Sequence, residues 1–254
     1  MADPFYSAKC KLAWAKEHIA KLEWEIQNFL EQPPCETFTE PHPQKYGHTV
    51  QKIRLARLLP PQIPMIAGDA VDNLRAVLDH AVFAVAIAGG CGHPRNAYFP
   101  FSATAAGFEA NLKGRSADVP QQIWPLFRSF QPYKGGNDLL VALKEACNRN
   151  KHALIVSVIV IADVVSTKIH GTGGFLGVPT QHVWDRAKNE MELFTEGPGA
   201  ERDARFDLRF LITFAEIPGA DTEQASTVLY TFAVEVERIL CAIEAESRRL
   251  GFIP

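Results

Sequence analysis

Arg75 and His80 are the residues in this chain best suited to handling a phosphate group. They stand five positions apart in the polar run Asp72-Asn73-Leu74-Arg75-Ala76-Val77-Leu78-Asp79-His80, inside an otherwise apolar stretch. A guanidinium grips a phosphate through two parallel hydrogen bonds and stabilises charge that develops on it. An imidazole titrates near neutrality and can take or give a proton. Asp72, Asn73 and Asp79 can orient either group. A second polar run follows at 144–152, Lys-Glu-Ala-Cys-Asn-Arg-Asn-Lys-His. Glu145, Asn148, Arg149 and His152 share one helical face by their spacing. Lys151 can contact a nucleic-acid backbone, and Asn150 falls among the apolar positions, where its amide needs a hydrogen-bond partner. If both runs meet, Arg75 stabilises the phosphorane while His80 and His152 move the two protons of metal-free RNA cleavage.

These residues need two helices to carry them. At about 100° per residue, the polar side chains of 62–88 occupy one arc opposite an apolar face, with Arg75 and His80 about 140° apart near its edges. Phe83 and Ile87 break the polar arc, so the far end of this helix is expected to be covered all round. The second run closes a helix over about 138–152, with Asn137 or Asp138 as its cap.

Other readings stand beside this one. The polar arc can be a solvated face held by Asp72–Arg75 and Arg75–Asp79 ion pairs, and the second run can satisfy the last carbonyls of its helix. The non-enzymatic form is a dimeric structural or interaction protein with a buried polar network. Asp69, Asp72, His80, Glu145 and His152 are types that bind metal between helices, and Cys91 and His93 can join a metal site. The glycine-rich stretch Gly171-Thr-Gly-Gly-Phe-Leu-Gly177 lacks a following Lys-Ser/Thr and is no phosphate loop. No nucleophile elbow is present. The main reading uses no metal and no cofactor.

Arg75-Ala-Val-Leu-Asp-His80 resembles the Arg-x4-His motif of the HEPN superfamily, which comprises helical bundles that include metal-independent endoribonucleases. The chain also resembles a group of uncharacterised bacterial proteins that pair a GDxxxNLRxxLDH helix with an NxxKH helix, here Gly68 to His80 and Asn148 to His152. The first resemblance implies RNA or a nucleotide as partner, catalytic Arg75 and His80, and a homodimer in which the motifs of two copies meet. The second implies no activity.

Around these helices, residues 4–31 read as a long amphipathic helix with Asp3 as cap. Its stripe is Phe5, Ala8, Leu12, Ala15, Ile19, Leu22, Ile26 and Phe29. Pro33-Pro34 ends it, a loop is expected through Gly47, and 49–59 can be a strand. Short helices are expected at 104–113 and 119–129. The β-branched run from 153 suggests a buried strand or two. Further strands are expected near 165–170, 190–196 and 206–215, with loops at 171–177 and 196–204. A last helix runs from Asp221 or Thr222 to about Leu250. The order implies a single α+β domain, mainly a helical bundle (about 1–152) with a small C-terminal antiparallel sheet and a long C-terminal helix (about 153–254).

Composition excludes some alternatives. The 254 residues are 47% hydrophobic and carry a formal net charge of −3, so no general basicity advertises nucleic acid and any such site must be a local patch. Five scattered cysteines without a Cys-x-x-Cys pair fit a reduced, cytoplasmic protein. The N-terminus lacks a signal-peptide core, and the apolar runs are too short to span a bilayer, so no membrane partner is expected.

Overall fold

A computed structural model describes the backbone of residues 3–153, 158–172, 174–215, 217 and 223–254. Side chains are described for these except 149–153, 158–163, 166, 168–172 and 201–203. The described residues form an α+β fold. In chain order they give α1 (Tyr6–Leu30), β1 (Cys35–Pro41), β2 (Thr49–Leu55), α2 (Gln62–Ala88) and α3 (Ala105–Lys113). A 3-10 turn (Gln121–Ile123) leads into α4 (Trp124–Phe130). Then follow α5 (Asp138–Ala153), β3 (Val158–Thr172), β4 (Leu176–Gly177), β5 (Glu190–Glu196), β6 (Glu201–Phe214) and α6 (Ala225–Arg249). No helix among the described residues is long and apolar enough to cross a membrane.

The long helices sit where the apolar stripes require. Every member of the α1 stripe is buried, as are Ala225, Leu229, Phe232, Val236, Ile239, Leu240 and Ile243 of α6. Burying such a side chain contributes about 1.5–3 kcal/mol, so these faces dictate the packing. Cross-links give the directions. Lys9 and Lys16 of α1 pair with Glu244 and Glu237 of α6, so those two helices run antiparallel. Ser7 bonds to His80 and Lys11 to Asn73, so α1 and α2 are antiparallel too. The main core joins these helices to Phe99, Phe101, Phe127 and Phe130, and reaches Ile212 and Phe214 of β6.

The sheet differs from the expectation of a purely C-terminal one. Its order is β1-β2-β5-β4, so two strands come from the N-terminal half and two from the C-terminal half. Residues 35–41 form a strand where a loop was expected; they alternate half-buried and exposed along most of their length, as an edge strand does. The paired partner Ile53 is fully buried with Met191 and Leu193. Part of the expected loop at 196–204 belongs to β6, and part of that at 171–177 to β3 and β4. β3 and β6 form a long antiparallel ribbon. One end of β6 enters the helical core, while Phe206 stacks on Phe194 in the sheet's own core.

Residues 91–104 form no strand or helix, yet Phe99 and Phe101 are buried. Side-chain hydrogen bonds fix this segment together with backbone bonds such as Tyr98 N–H to the Arg115 carbonyl. Asp79 accepts from the Phe99 N–H at 2.8 Å, and Asn111 donates to the Phe101 carbonyl at 2.7 Å. Asp118 accepts from the N–H groups of Arg95 (2.6 Å) and Asn96 (2.8 Å). Those two donors, Asn96 foremost, hold the Asp118 carboxyl below the usual aspartate range. A lowered folded-state pKa contributes stability at neutral pH and loses it as pH falls through that value. Amide exchange at Arg95 and Asn96, measured against intrinsic rates, is therefore expected to accelerate in acid beyond the range where ordinary aspartates protonate. Asp118→Ala should show the same acceleration at neutral pH.

Candidate functional site: a cationic cavity beside α2

Arg75 lies in the third to fourth turn of α2, on the flank that meets α5 and the segment 97–101. Its side chain is only 13% exposed. The guanidinium faces Asp79 at 3.3 Å, one helical turn on, and lies over the Phe101 ring with 3.9 Å from Cζ to the ring centre. Burial pushes the Arg75 pKa below the ordinary arginine value, while Asp79 works to restore it and Arg115 opposes it. The Arg75–Asp79 hydrogen bonds are long, both 3.4 Å, and Asp79 also accepts from the Phe99 N–H at 2.8 Å.

Arg75, Arg115, Lys144, Phe101, Cys147 and Asn148 enclose a cavity of about 110 Å³. Three cations therefore converge on a space of molecular-fragment size. Lys144 registers the crowding. Burial first, then the charges of Arg75 and Arg115, push its pKa below the ordinary lysine value, with Glu145 acting the other way. Arg115 in turn lies 5.6 Å from the Tyr98 ring centre. Like charges are not gathered around a half-buried space without electrostatic cost. An anion there would relieve that cost and be met by directed N–H donors.

The two polar runs do meet. Cys147 Sγ lies 3.1 Å from Asp72 Oδ1, joining α5 to α2, and Asn148 lines the cavity with Arg75. Glu145 is exposed. Asn73 accepts from Lys11 and donates to the Asp69 carbonyl, so it ties α1 to α2. Of the two ion pairs foreseen for Arg75, the Asp79 pair is present. The side chains of Arg149, Asn150, Lys151 and His152 lie outside the described residues, and with them the expected role of His152.

His80 stands apart from the cationic cavity. Its Nδ1 is 2.8 Å from Ser7 Oγ, and it lines a separate, largely apolar groove of about 670 Å³ with Asp79, Phe83, Ile87 and Tyr98. Phe83 and Ile87 are 47% and 42% exposed. The expectation that this end of α2 is covered all round is thus corrected, because the segment 94–98 borders the groove without closing over it. Asp79 alone among the site residues serves both spaces: it lines the groove and holds Arg75. No three His, Cys, Asp or Glu side chains converge as a metal site among the described residues.

Sequence reading missed Arg115, Lys144 and Phe101. Lys144 opens the second polar run and falls one turn before Asn148, so helical spacing could have brought it in. Arg115 follows α3 with no periodic neighbour, and no local signal marks it. No protein-family model, no curated protein and no solved structure matches this chain.

Proposed function

We propose that this is a HEPN-like RNA- or nucleotide-binding protein that holds a phosphate group in the cavity of Arg75, Arg115 and Lys144. The observation that carries this reading is the convergence of three cations on one small, partly enclosed space in a chain whose net charge is negative. Arg75 is held in place by Asp79 and the Phe101 ring, so little ordering is needed on binding. Phe101 also offers the apolar wall against which a guanidinium keeps its orientation.

Metal-independent RNA cleavage is the second reading, favoured by the position of Asp79. One carboxylate holds Arg75 and also lines the groove where His80 lies, so the two motif residues border the same side chain although they face separate spaces. In the HEPN-like arrangement the protein would act as a homodimer.

Calorimetric titration with inorganic phosphate and with a 5′-phosphorylated oligoribonucleotide tests the binding reading. The wild type is expected to bind both, with log affinity falling linearly in log salt. Arg115→Ala should weaken binding by about tenfold or more through loss of a charge-assisted hydrogen bond. Binding should also weaken as pH rises through the lowered Lys144 pKa, because the anion is held by the protonated amine and its binding takes up a proton. Absence of binding by either ligand at low salt overturns the reading. Cleavage of the RNA with chelator present, lost in His80→Ala, would establish the nuclease.

A further inference from the structure

The outer face of α1 carries Trp14, Glu17, Lys21 and Trp24, within about 80° of one another around the helix. This face points away from both the core stripe and the Lys9 and Lys16 contacts with α6. Trp14 and Trp24 are 52% and 58% exposed, far from the usual fate of tryptophan. Glu17 and Lys21 are exposed, and neither forms an ion pair among the described residues, although Lys9 and Lys16 on the same helix both do. The four residues read the same in both directions about Ile19: Trp14 mirrors Trp24, and Glu17 mirrors Lys21, its opposite charge.

We propose that this face is the contact of a symmetric dimer, in which two α1 helices pack antiparallel across a two-fold axis passing near Ile19. A two-fold brings the same patch onto itself, so residue i meets its mirror residue. Trp14 of one copy then meets Trp24 of the other, and Glu17 meets Lys21, twice over. A parallel arrangement would instead set Glu17 near Glu17 and Lys21 near Lys21. Ala13 and Ala20 are exposed on the flank of the ridge toward α6 and allow close approach.

Exposed apolar side chains also lie on α6, beyond the exposed Lys16–Glu237 pair at the seam of the two helices. With Lys16 opposite Glu237 and Lys9 opposite Glu244, Tyr230 falls level with the Trp24 end of α1 and Val234 level with Ile19. Both are exposed. Two adjacent helix faces about 37 Å long and together about 20 Å wide offer roughly 700 Å² per copy, near the ~800 Å² per partner of a standard interface. The face shares no residue with the cationic cavity or the Arg75–His80 motif. This dimer is therefore a different contact from the motif-to-motif homodimer of the HEPN-like reading, and it stands or falls independently of the phosphate reading.

Sedimentation velocity on the full chain tests this, with circular dichroism confirming that each variant is folded. The wild type is expected to dimerise at micromolar concentration. Trp14→Ala with Trp24→Ala should leave a folded monomer. Lys21→Glu and Glu17→Lys should each raise the dissociation constant by about tenfold or more. The double swap Glu17→Lys with Lys21→Glu should restore it toward wild type, because the antiparallel two-fold pairs the swapped charges again. A wild type that remains monomeric at 100-fold higher concentration, about 100 µM, overturns the proposal. So does a dimer unaffected by these variants, or one that the double swap fails to restore.

Discussion

Asp79→Ala is expected to destabilise the protein by about 2–4 kcal/mol, measured by urea unfolding, although Asp79 lies on a helix surface. Two losses combine. Arg75, its side chain 13% exposed, loses its carboxylate and remains half-encircled by Arg115 and Lys144. The Phe99 N–H loses its acceptor in a segment with no strand partner. An isolated exposed i,i+4 ion pair would contribute about 0.3–0.5 kcal/mol, so the size of the effect separates the two situations. The partner variant decides further. Arg75→Met fills similar space without charge, and the double variant Arg75→Met with Asp79→Ala should be less destabilised than the sum of the singles by more than about 1 kcal/mol. Additivity would mean that Asp79 acts through Phe99 alone.

Phe99→Ala is expected to cost about 3–5 kcal/mol, the range for a deleted buried aromatic. Phe99 is fully buried, 4.8 Å from Phe101 and 6.3 Å from both Phe127 and Phe130 between ring centres. The second consequence is at the cationic cavity. Phe101 is the ring on which Arg75 lies, and Phe99 is its closest aromatic neighbour. Removing Phe99 should therefore weaken phosphate binding even at temperatures where the variant is folded. Phe99→Leu keeps most of the volume and should cost less in both measurements. A variant that loses stability but binds phosphate as the wild type does would show that Phe101 holds its place without Phe99.

What the sequence revealed follows the physics of periodicity. The helices at 6–30, 62–88 and 225–249 were legible because each alternates apolar steps of three and four over many turns. β1 was not, because Cys-Glu-Thr-Phe-Thr-Glu-Pro is an edge strand, half polar by necessity and ending in proline. The partnership of β2 with β5 is non-local, and nothing in either segment names the other. At the site, Arg75, Asp72, Asp79 and Asn148 were found by helical spacing. Arg115 and Phe101 lie in irregular chain and reach the cavity through tertiary packing alone. The separation of His80 from Arg75 depends on which neighbour occupies each edge of the α2 polar arc. Ser7 of α1 takes one edge and Phe101 the other, and a helical wheel cannot show that.

The pairing of early and late segments also constrains how this chain is made. β2 waits for β5, with Thr49 opposite Glu196 and Arg54 opposite Glu190. The stripes of α1 and α2 wait for α6, which is synthesised well after both. Until the ribosome has passed Ile243, the nascent chain presents Leu12, Ile19 and Ile26 without their C-terminal cover. Contacts of such long sequence separation slow folding, because loop closure precedes the gain from packing. A chain stopped before residue 190 would hold an open apolar trough and an unpaired β2 edge. Such a product is a natural client for chaperones and prone to aggregation. The helical core therefore closes only once α6 has been made.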